Sequence, residues 1–216
     1  MRPRAVIFDC DGVLVDSEPA AHAVLAESFT RYGRPMQPGE IEPAGFTGGT
    51  MASVRDRARA EGLALPDGWV SEIHAELHAR LARGVALIAG IEAVLDRLDA
   101  AGIAYAVGSN GTDAKMRITL GQHPALFARL EGRLWSAHTH GTAKPDPGLF
   151  LLAAAGLGMD PSDCVVVDDS VSGCTAGIRA GMRTFGFAEH DDGAKLAALG
   201  ARVFHRMADL PALLGV

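Results

Sequence analysis

Short apolar runs recur along the chain, each followed by a stretch with a different period. They read RAVIF (4–8), GIAYAVGS (102–109), RLWSA (133–137), CVVVDD (164–169), RTFGF (183–187) and ARVF (201–204). Runs of this length, rich in β-branched and aromatic residues, suit strands buried on both faces. The segments between most of them carry helical spacing. GIEAVLDRLDAAG (90–102) places Val94, Leu95 and Leu98 on one face and ends at Gly102, which suits a left-handed C-terminal cap. PGLFLLAAAGLG (147–158) and SVSGCTAGIRAGM (170–182) follow the third and fourth runs, the latter with Gly181 as its cap. Strands alternating with helices of this length predict βαβ units and a parallel sheet, an α/β fold.

One region breaks the alternation. Residues 17–83 hold no strand pattern. Ser17 is placed to cap a helix with Glu18 and Pro19 in its first turn and Ala21, Leu25, Phe29 and Tyr32 at helical spacing. After the Pro- and Gly-rich stretch GRPMQPGEIEPAGFTGGT (33–50), helices are predicted over Met51–Ala60 and over Trp69–Leu81, the second with Trp69, Ile73, Leu77 and Leu81 in steps of four. A small helical insert therefore sits between the first and second strands. It is either one more layer of the same core or a lid over the first strand's end; the lid is favoured because open α/β sheets bind ligands at the carboxyl ends of strands.

Composition excludes several classes. A net charge of −6 argues against non-specific nucleic-acid binding, which needs a basic face. No apolar run approaches the ~20 residues of a membrane span, and MRPRAVIFDCDG is too short and too soon charged for a signal peptide. Three cysteines without a C-x-x-C pair argue for a reducing compartment, hence the cytoplasm. Cys10, Cys164 and Cys174 read as small core residues, Cys10 being a poor candidate for reactivity beside anionic neighbours.

The first run ends in FDCDGVLVDSE (8–18), with Asp9 and Asp11 on one side of an extended segment and Cys10 on the other. Asp168 and Asp169 end the fourth run. In a parallel sheet these ends share an edge, so four carboxylates converge, at a cost of several kcal/mol without a counter-charge. A hard divalent cation resolves the repulsion, and Mg²⁺, with its oxygen ligands, fits better than zinc, for which no Cys/His cluster has the spacing. The HTH triplet (138–140) reads as a loop. GSNGT (108–112) ends the second run with the Ser109 hydroxyl and the Asn110 amide, and GTAKPDP (141–147) follows the third with Lys144, one of three lysines beside Lys115 and Lys195. A cation and a hydroxyl facing acidic pairs can hold a phosphate dianion. Gly12 lets the chain turn out of the strand and keeps the phosphate's space clear. Gly173 and Gly177 suit close packing of a helix on the sheet.

DCDGVLVDSE, the Ser-Asn after the second core strand, KPDPGLF and VVVDDSVSG resemble, in order, the four signature motifs of the haloacid dehalogenase superfamily. The resemblance implies a Rossmann-like doubly wound parallel sheet as core (1–16 and 84–216) and a small all-helical cap (17–83) like that of the phosphoglycolate phosphatase and β-phosphoglucomutase branch. It implies Asp9 as nucleophile, Asp11 as general acid and then base, and Ser109 and Lys144 as binders of the transferring phosphoryl group. It implies Mg²⁺ held by Asp9, Asp169 and the Asp11 carbonyl; Asp168 stands where the family often has Glu, so its contact with metal is less direct. Asn110 would support the phosphate, and the substrate would meet the insert's loop at 45–51, with Gly48, Gly49 and Thr50.

Within the family, Asp11 favours phosphoryl transfer over dehalogenation, and the absence of lysine from 17–83 removes the imine-forming phosphonate branch. β-Phosphoglucomutase has an arginine after the cap's glycine loop, where this chain has Met51, and a histidine near the start of its first cap helix, matched by Ala21 with His22 one place off. The expectation is a Mg²⁺-dependent phosphatase of a small phosphorylated metabolite, monomeric, with neither nucleic-acid nor membrane partners. The alternatives are a phosphosugar mutase, a receiver-like phosphorylation switch, whose motifs come in the reverse order, and a phosphate binder without turnover.

Overall fold

The computed structural model describes residues 2–47 and 50–216. The chain opens with β1 (Ala5–Phe8) and a two-residue strand, β2 (Val15–Asp16). Three helices follow, α1 (Glu18–Arg31), α2 (Met51–Ala60) and α3 (Trp69–Leu81). Next come β3 (Ala86–Leu87), α4 (Ile91–Ala100), β4 (Ala104–Ser109), α5 (Asp113–Leu120), α6 (Pro124–Leu130) and β5 (Leu134–Ser136). The C-terminal part adds α7 (Ala137–His140), α8 (Gly148–Gly156), β6 (Cys164–Asp168) and α9 (Val171–Arg179). It closes with β7 (Arg183–Phe187), α10 (Ala194–Ala198), β8 (Arg202–Phe204) and α11 (Leu210–Leu214).

The six long-range strands form one sheet in the order β5-β4-β1-β6-β7-β8, every pairing parallel. The chain runs outward from β1 through β4 to β5, then returns to the other side of β1 as β6. That reversal puts β1 at the switch point where open α/β sheets hold their ligands. Val6, Ile7 and Phe8 are fully buried, and burying such side chains contributes about 1.5–3 kcal/mol each. Phe8 pairs with Val107 on one side and Val167 on the other. Register therefore brings Asp9, Ser109 and Asp168 to one carboxyl edge.

Small residues let the helices approach this sheet. Phe150, Ala153 and Ala154 of α8 pack with Ile7, Ala106 and Val166. On α9, a Cβ at Gly177 would stand 3.0 Å from Val166 Cβ and 2.6 Å from Thr184 Oγ1, so only glycine allows that distance to β6 and β7. The three cysteines are unpaired and buried, and burial raises each thiol's pKa, that of Cys164 to about 11.

The chain divides into two compact units, one running to Asp16 and resuming at Ala86, the other spanning Ser17–Val85. Both crossings leave the first unit along paired strands: β2 and β3 run antiparallel, Val15 against Leu87 and Asp16 against Ala86. Two-residue strands carry no periodicity, which is why the sequence does not announce them.

The second unit has no strand among its described residues. Trp69, Ile73, Leu77 and Leu81 are all buried, as their spacing predicts. Phe29 meets Phe46 edge-on at 4.8 Å and stacks on Trp69 at 6.1 Å, while Trp69 Nε1 donates to Ser28 Oγ at 2.8 Å. Ser17 precedes α1 but its side chain makes no capping bond. Thr50 does cap α2, its hydroxyl accepting from Ser53 N–H at 3.2 Å.

Candidate active site

Asp9 stands one residue beyond β1, its N–H donating to Val167 O at 2.9 Å. Its Oδ1 accepts from Lys144 Nζ at 2.6 Å, and the same ammonium donates to Asp168 Oδ2 at 2.8 Å. The Lys144 side chain is 2% exposed and that of Asp168 0%. A buried ammonium thus bridges two carboxylates from different strand ends. A buried charge is tolerable only when paired in this way.

The rest of Asp168 is also engaged. Its Oδ1 accepts from Ser170 N–H at 2.9 Å and Ser170 Oγ at 2.7 Å, and Ser170 Oγ in turn accepts from Gly173 N–H at 2.9 Å to begin α9. A Cβ on Gly173 would overlap the Asp168 carboxylate. The packing expected of Gly173 is therefore packing against a charged group. Gly177 alone of the pair meets the apolar sheet.

Gly12 has a left-handed φ of +73°, and a Cβ there would overlap the Asp169 carboxylate. The space that glycine keeps clear belongs to Asp169, where the sequence suggested the phosphate. Asp9, Asp168 and Asp169 each offer an oxygen, and these atoms lie within 4.8 Å of one another. An oxygen-only donor set, with a glycine making room for one of its members, fits Mg²⁺. His138 and His140 belong to no candidate metal group among the described residues; His140 Nδ1 lies 3.0 Å from Ser136 O.

Asp11 differs from the expected convergence of four carboxylates. It is not one of the three gathered acids. Its Oδ1 pairs with Lys115 Nζ at 2.8 Å. Lys115 lies in the first turn of α5, a helix the sequence analysis did not identify, so Lys144 is not alone in offsetting the acidic charge. The missed signal was Thr112-Asp113 ahead of an apolar-periodic segment: Thr112 Oγ1 accepts from Lys115 N–H at 3.1 Å and starts the helix.

Electrostatics follow from this arrangement. Burial pushes the Asp9 carboxyl up to about 7; Lys144 opposes that rise, while Asp168 and Asp11 add to it. Burial works against the charge of Lys144, but Asp168 and Asp9 outweigh it and raise its pKa. For Lys115, burial likewise opposes the charge and Asp11 overcomes it.

Ser109 is buried at the end of β4, its Oγ accepting from Gly111 N–H at 3.0 Å. Asn110, expected to support the phosphate, bonds the backbone of Lys144. Its Oδ1 accepts from Lys144 N–H at 2.9 Å and its Nδ2 donates to Lys144 O at 3.2 Å. Thr50 belongs to the helical unit as the cap of α2, and Gly48 and Gly49 lie outside the described residues. In that unit Arg57 is committed to Gly45 O and Glu61, and Arg55 to Asp56.

The family model for haloacid dehalogenase-like hydrolases matches residues 3–181. Among curated relatives, 6-phosphogluconate phosphatase of Escherichia coli is 31% identical over 214 residues, covering 98% of this chain and 95% of that one. A conserved haloacid dehalogenase-like protein of unknown function from Agrobacterium tumefaciens is 32% identical, with a TM-score of 0.87 and coverage of 98% and 97%. A HAD family hydrolase from Deinococcus radiodurans, solved with bound phosphate and sodium, is 31% identical, with a TM-score of 0.81 and coverage of 99% and 96%.

Proposed function

The chain belongs to the haloacid dehalogenase-like hydrolases, and from that premise we propose that it is a phosphatase hydrolysing a small phosphorylated metabolite through an aspartyl-phosphate on Asp9. The observation that carries the reading is the Lys144 ammonium bridging Asp9 and Asp168, with Asp169 beside them. It supports a reading in which Asp9 is the nucleophile, Lys144 the cation that neutralises the phosphate, and the neighbouring carboxylates the metal-binding face of one sheet edge.

In this reading an Asp9 oxygen attacks phosphorus while the bond to the substrate's alcohol oxygen breaks. The Asp11 carboxyl gives its proton to that oxygen. A water then attacks the aspartyl-phosphate, Asp11 takes the water's proton, and the Asp9–phosphorus linkage breaks to release inorganic phosphate. Ser109 and Lys144 hold the phosphoryl oxygens throughout. Asp9, Asp169 and the Asp11 carbonyl would hold Mg²⁺, with Asp168 behind them as the anchor of Lys144. Mg²⁺, when bound, supplies positive charge against the phosphoryl oxygens.

The helical unit Ser17–Val85 is the lid in this proposal, and it selects the substrate. Solution scattering with Mg²⁺ and a phosphate analogue should report closure, and an unchanged radius of gyration removes the lid. The mutase alternative finds no arginine at Met51, which opens α2.

The deciding experiment is phosphate release with Mg²⁺ from a panel of sugar, sugar-acid, polyol and glycolate phosphates plus p-nitrophenyl phosphate. Turnover of at least one alkyl phosphate, abolished in Asp9→Asn, is expected. A panel without any turnover, or an active Asp9→Asn enzyme, overturns the proposal.

A further inference from the structure

We propose that Lys115 is a positioning residue for Asp11, holding the proton-transferring carboxylate on the side of Gly111 where Ser109 Oγ lies. The inference rests on the phosphatase reading above and assigns a task to a lysine that reading does not use.

Lys115 is in an unfavourable place for a lysine. It occupies the first turn of α5, where the helix dipole disfavours a cation. Its side chain is only 19% exposed, so a flexible stem is confined and partly removed from water. A residue that violates its local preference is there for what it touches. What it touches is Asp11, with Nζ 2.8 Å from Oδ1 and the Asp11 side chain itself 25% exposed.

The second oxygen of Asp11 looks elsewhere. At Gly111 a Cβ would stand 3.2 Å from Ser109 Oγ, 3.5 Å from Lys115 Cδ and 3.6 Å from Asp11 Oδ2. Ser109 Oγ, the lysine stem and Asp11 Oδ2 therefore gather on one side of Gly111. In the phosphatase reading, a substrate oxygen leaving phosphorus beside Ser109 departs on the side to which Oδ2 turns. Asp11 has only two side-chain torsions, and an ammonium fixed to Oδ1 selects the rotamer that turns Oδ2 toward the Ser109 side. Lys115 thus acts through Asp11 and needs no contact with substrate.

The test compares two leaving groups: p-nitrophenyl phosphate, which needs no proton, and the alkyl phosphate turned over fastest in the panel. Because acid–base assistance is typically worth about 10²–10⁴-fold, Lys115→Met should lose about 10–100-fold in kcat on the alkyl phosphate and under about threefold on p-nitrophenyl phosphate. KM should stay within about twofold on both, and Lys115→Arg should restore most of the loss. In an Asp11→Asn background, Lys115→Met should cost nothing further, since the two act as one unit. Lys115→Ala keeps a helix-favouring residue in α5 and removes both the stem and the ammonium. It should show the same leaving-group dependence, and it decides the matter if Lys115→Met does not fold. Equal losses on both substrates, a KM rise on both, or full additivity with Asp11→Asn overturns the inference. Failure of the wild type on every phosphate takes down the phosphatase reading instead.

Discussion

Asn110 holds the backbone of Lys144 at both ends of the residue: its Oδ1 accepts from the Lys144 N–H at 2.9 Å, and its Nδ2 donates to the Lys144 carbonyl at 3.2 Å. The two residues come from different loops, one after β4 and one before α8. The clamp fixes where the Lys144 stem begins, and so where its ammonium arrives between Asp9 and Asp168.

Asn110→Ala should therefore weaken the fold and the site together. Leaving two part-buried backbone groups without their partner costs about 1–3 kcal/mol. Urea denaturation should show that loss, and kcat should fall with it. Asn110→Asp keeps the acceptor but loses the donor, and should lie between. Wild-type stability in Asn110→Ala would show that the clamp contributes nothing.

Lys144→Met should be worse. It leaves a fully buried Asp168 facing an apolar chain, and breaking a buried pair from one side costs about 3–5 kcal/mol. Asp168→Asn in the same chain removes the stranded charge and should recover part of that stability without recovering turnover. If the double variant is no more stable than Lys144→Met, the Lys144–Asp168 pair is not the source of the loss.

Strand alternation, the two acidic pairs and Lys144 were legible because each rests on a local pattern: an apolar run, then a group that cannot be buried alone. Every strand of the main sheet falls within a run readable in the sequence. What was not legible depends on distance in space. Nothing local tells that the Asn110 amide bonds a backbone thirty-four residues away, or that Gly12 makes room for Asp169. Lys115 escapes a local reading because no apolar run marks α5. Its N-terminal Thr-Asp signal was present, but the lysine's partner lies at the end of another strand.

Removal of divalent metal should abolish turnover, and Mg²⁺ should restore it. It should also expose a pH dependence of stability. Without metal, burial raises the Asp9 carboxyl from 3.8 to about 7. Between those values the folded chain holds a proton that the unfolded chain has released, so stability falls as pH rises. Metal-free wild type should lose stability from about pH 4 to about pH 7 more steeply than Asp9→Asn, which has no carboxyl to ionise there. Denaturation midpoints across that window check the difference. Parallel curves for the two proteins would mean that Asp9 ionises as easily in the fold as outside it, and full activity after exhaustive chelation would remove the metal from the mechanism.

Gly173→Ala should reverse the usual sign of a helical glycine substitution. In an exposed helix interior the change stabilises by about 0.8–1 kcal/mol. Here the added methyl group overlaps the Asp168 carboxylate. That carboxylate cannot retreat, because Lys144 holds one oxygen and Ser170 the other. The first turn of α9 must move instead, at the cost of about 1–3 kcal/mol typical of overpacking. The displacement also loosens the Lys144 bridge, so kcat should drop although Gly173 touches no substrate in the proposed reaction. Asp168→Ala supplies the control: without the carboxylate the methyl group has room, and Gly173→Ala added to it should be neutral or stabilising. A cycle in which Gly173→Ala costs the same with and without Asp168 would place the conflict elsewhere in α9 and separate Gly173 from the site.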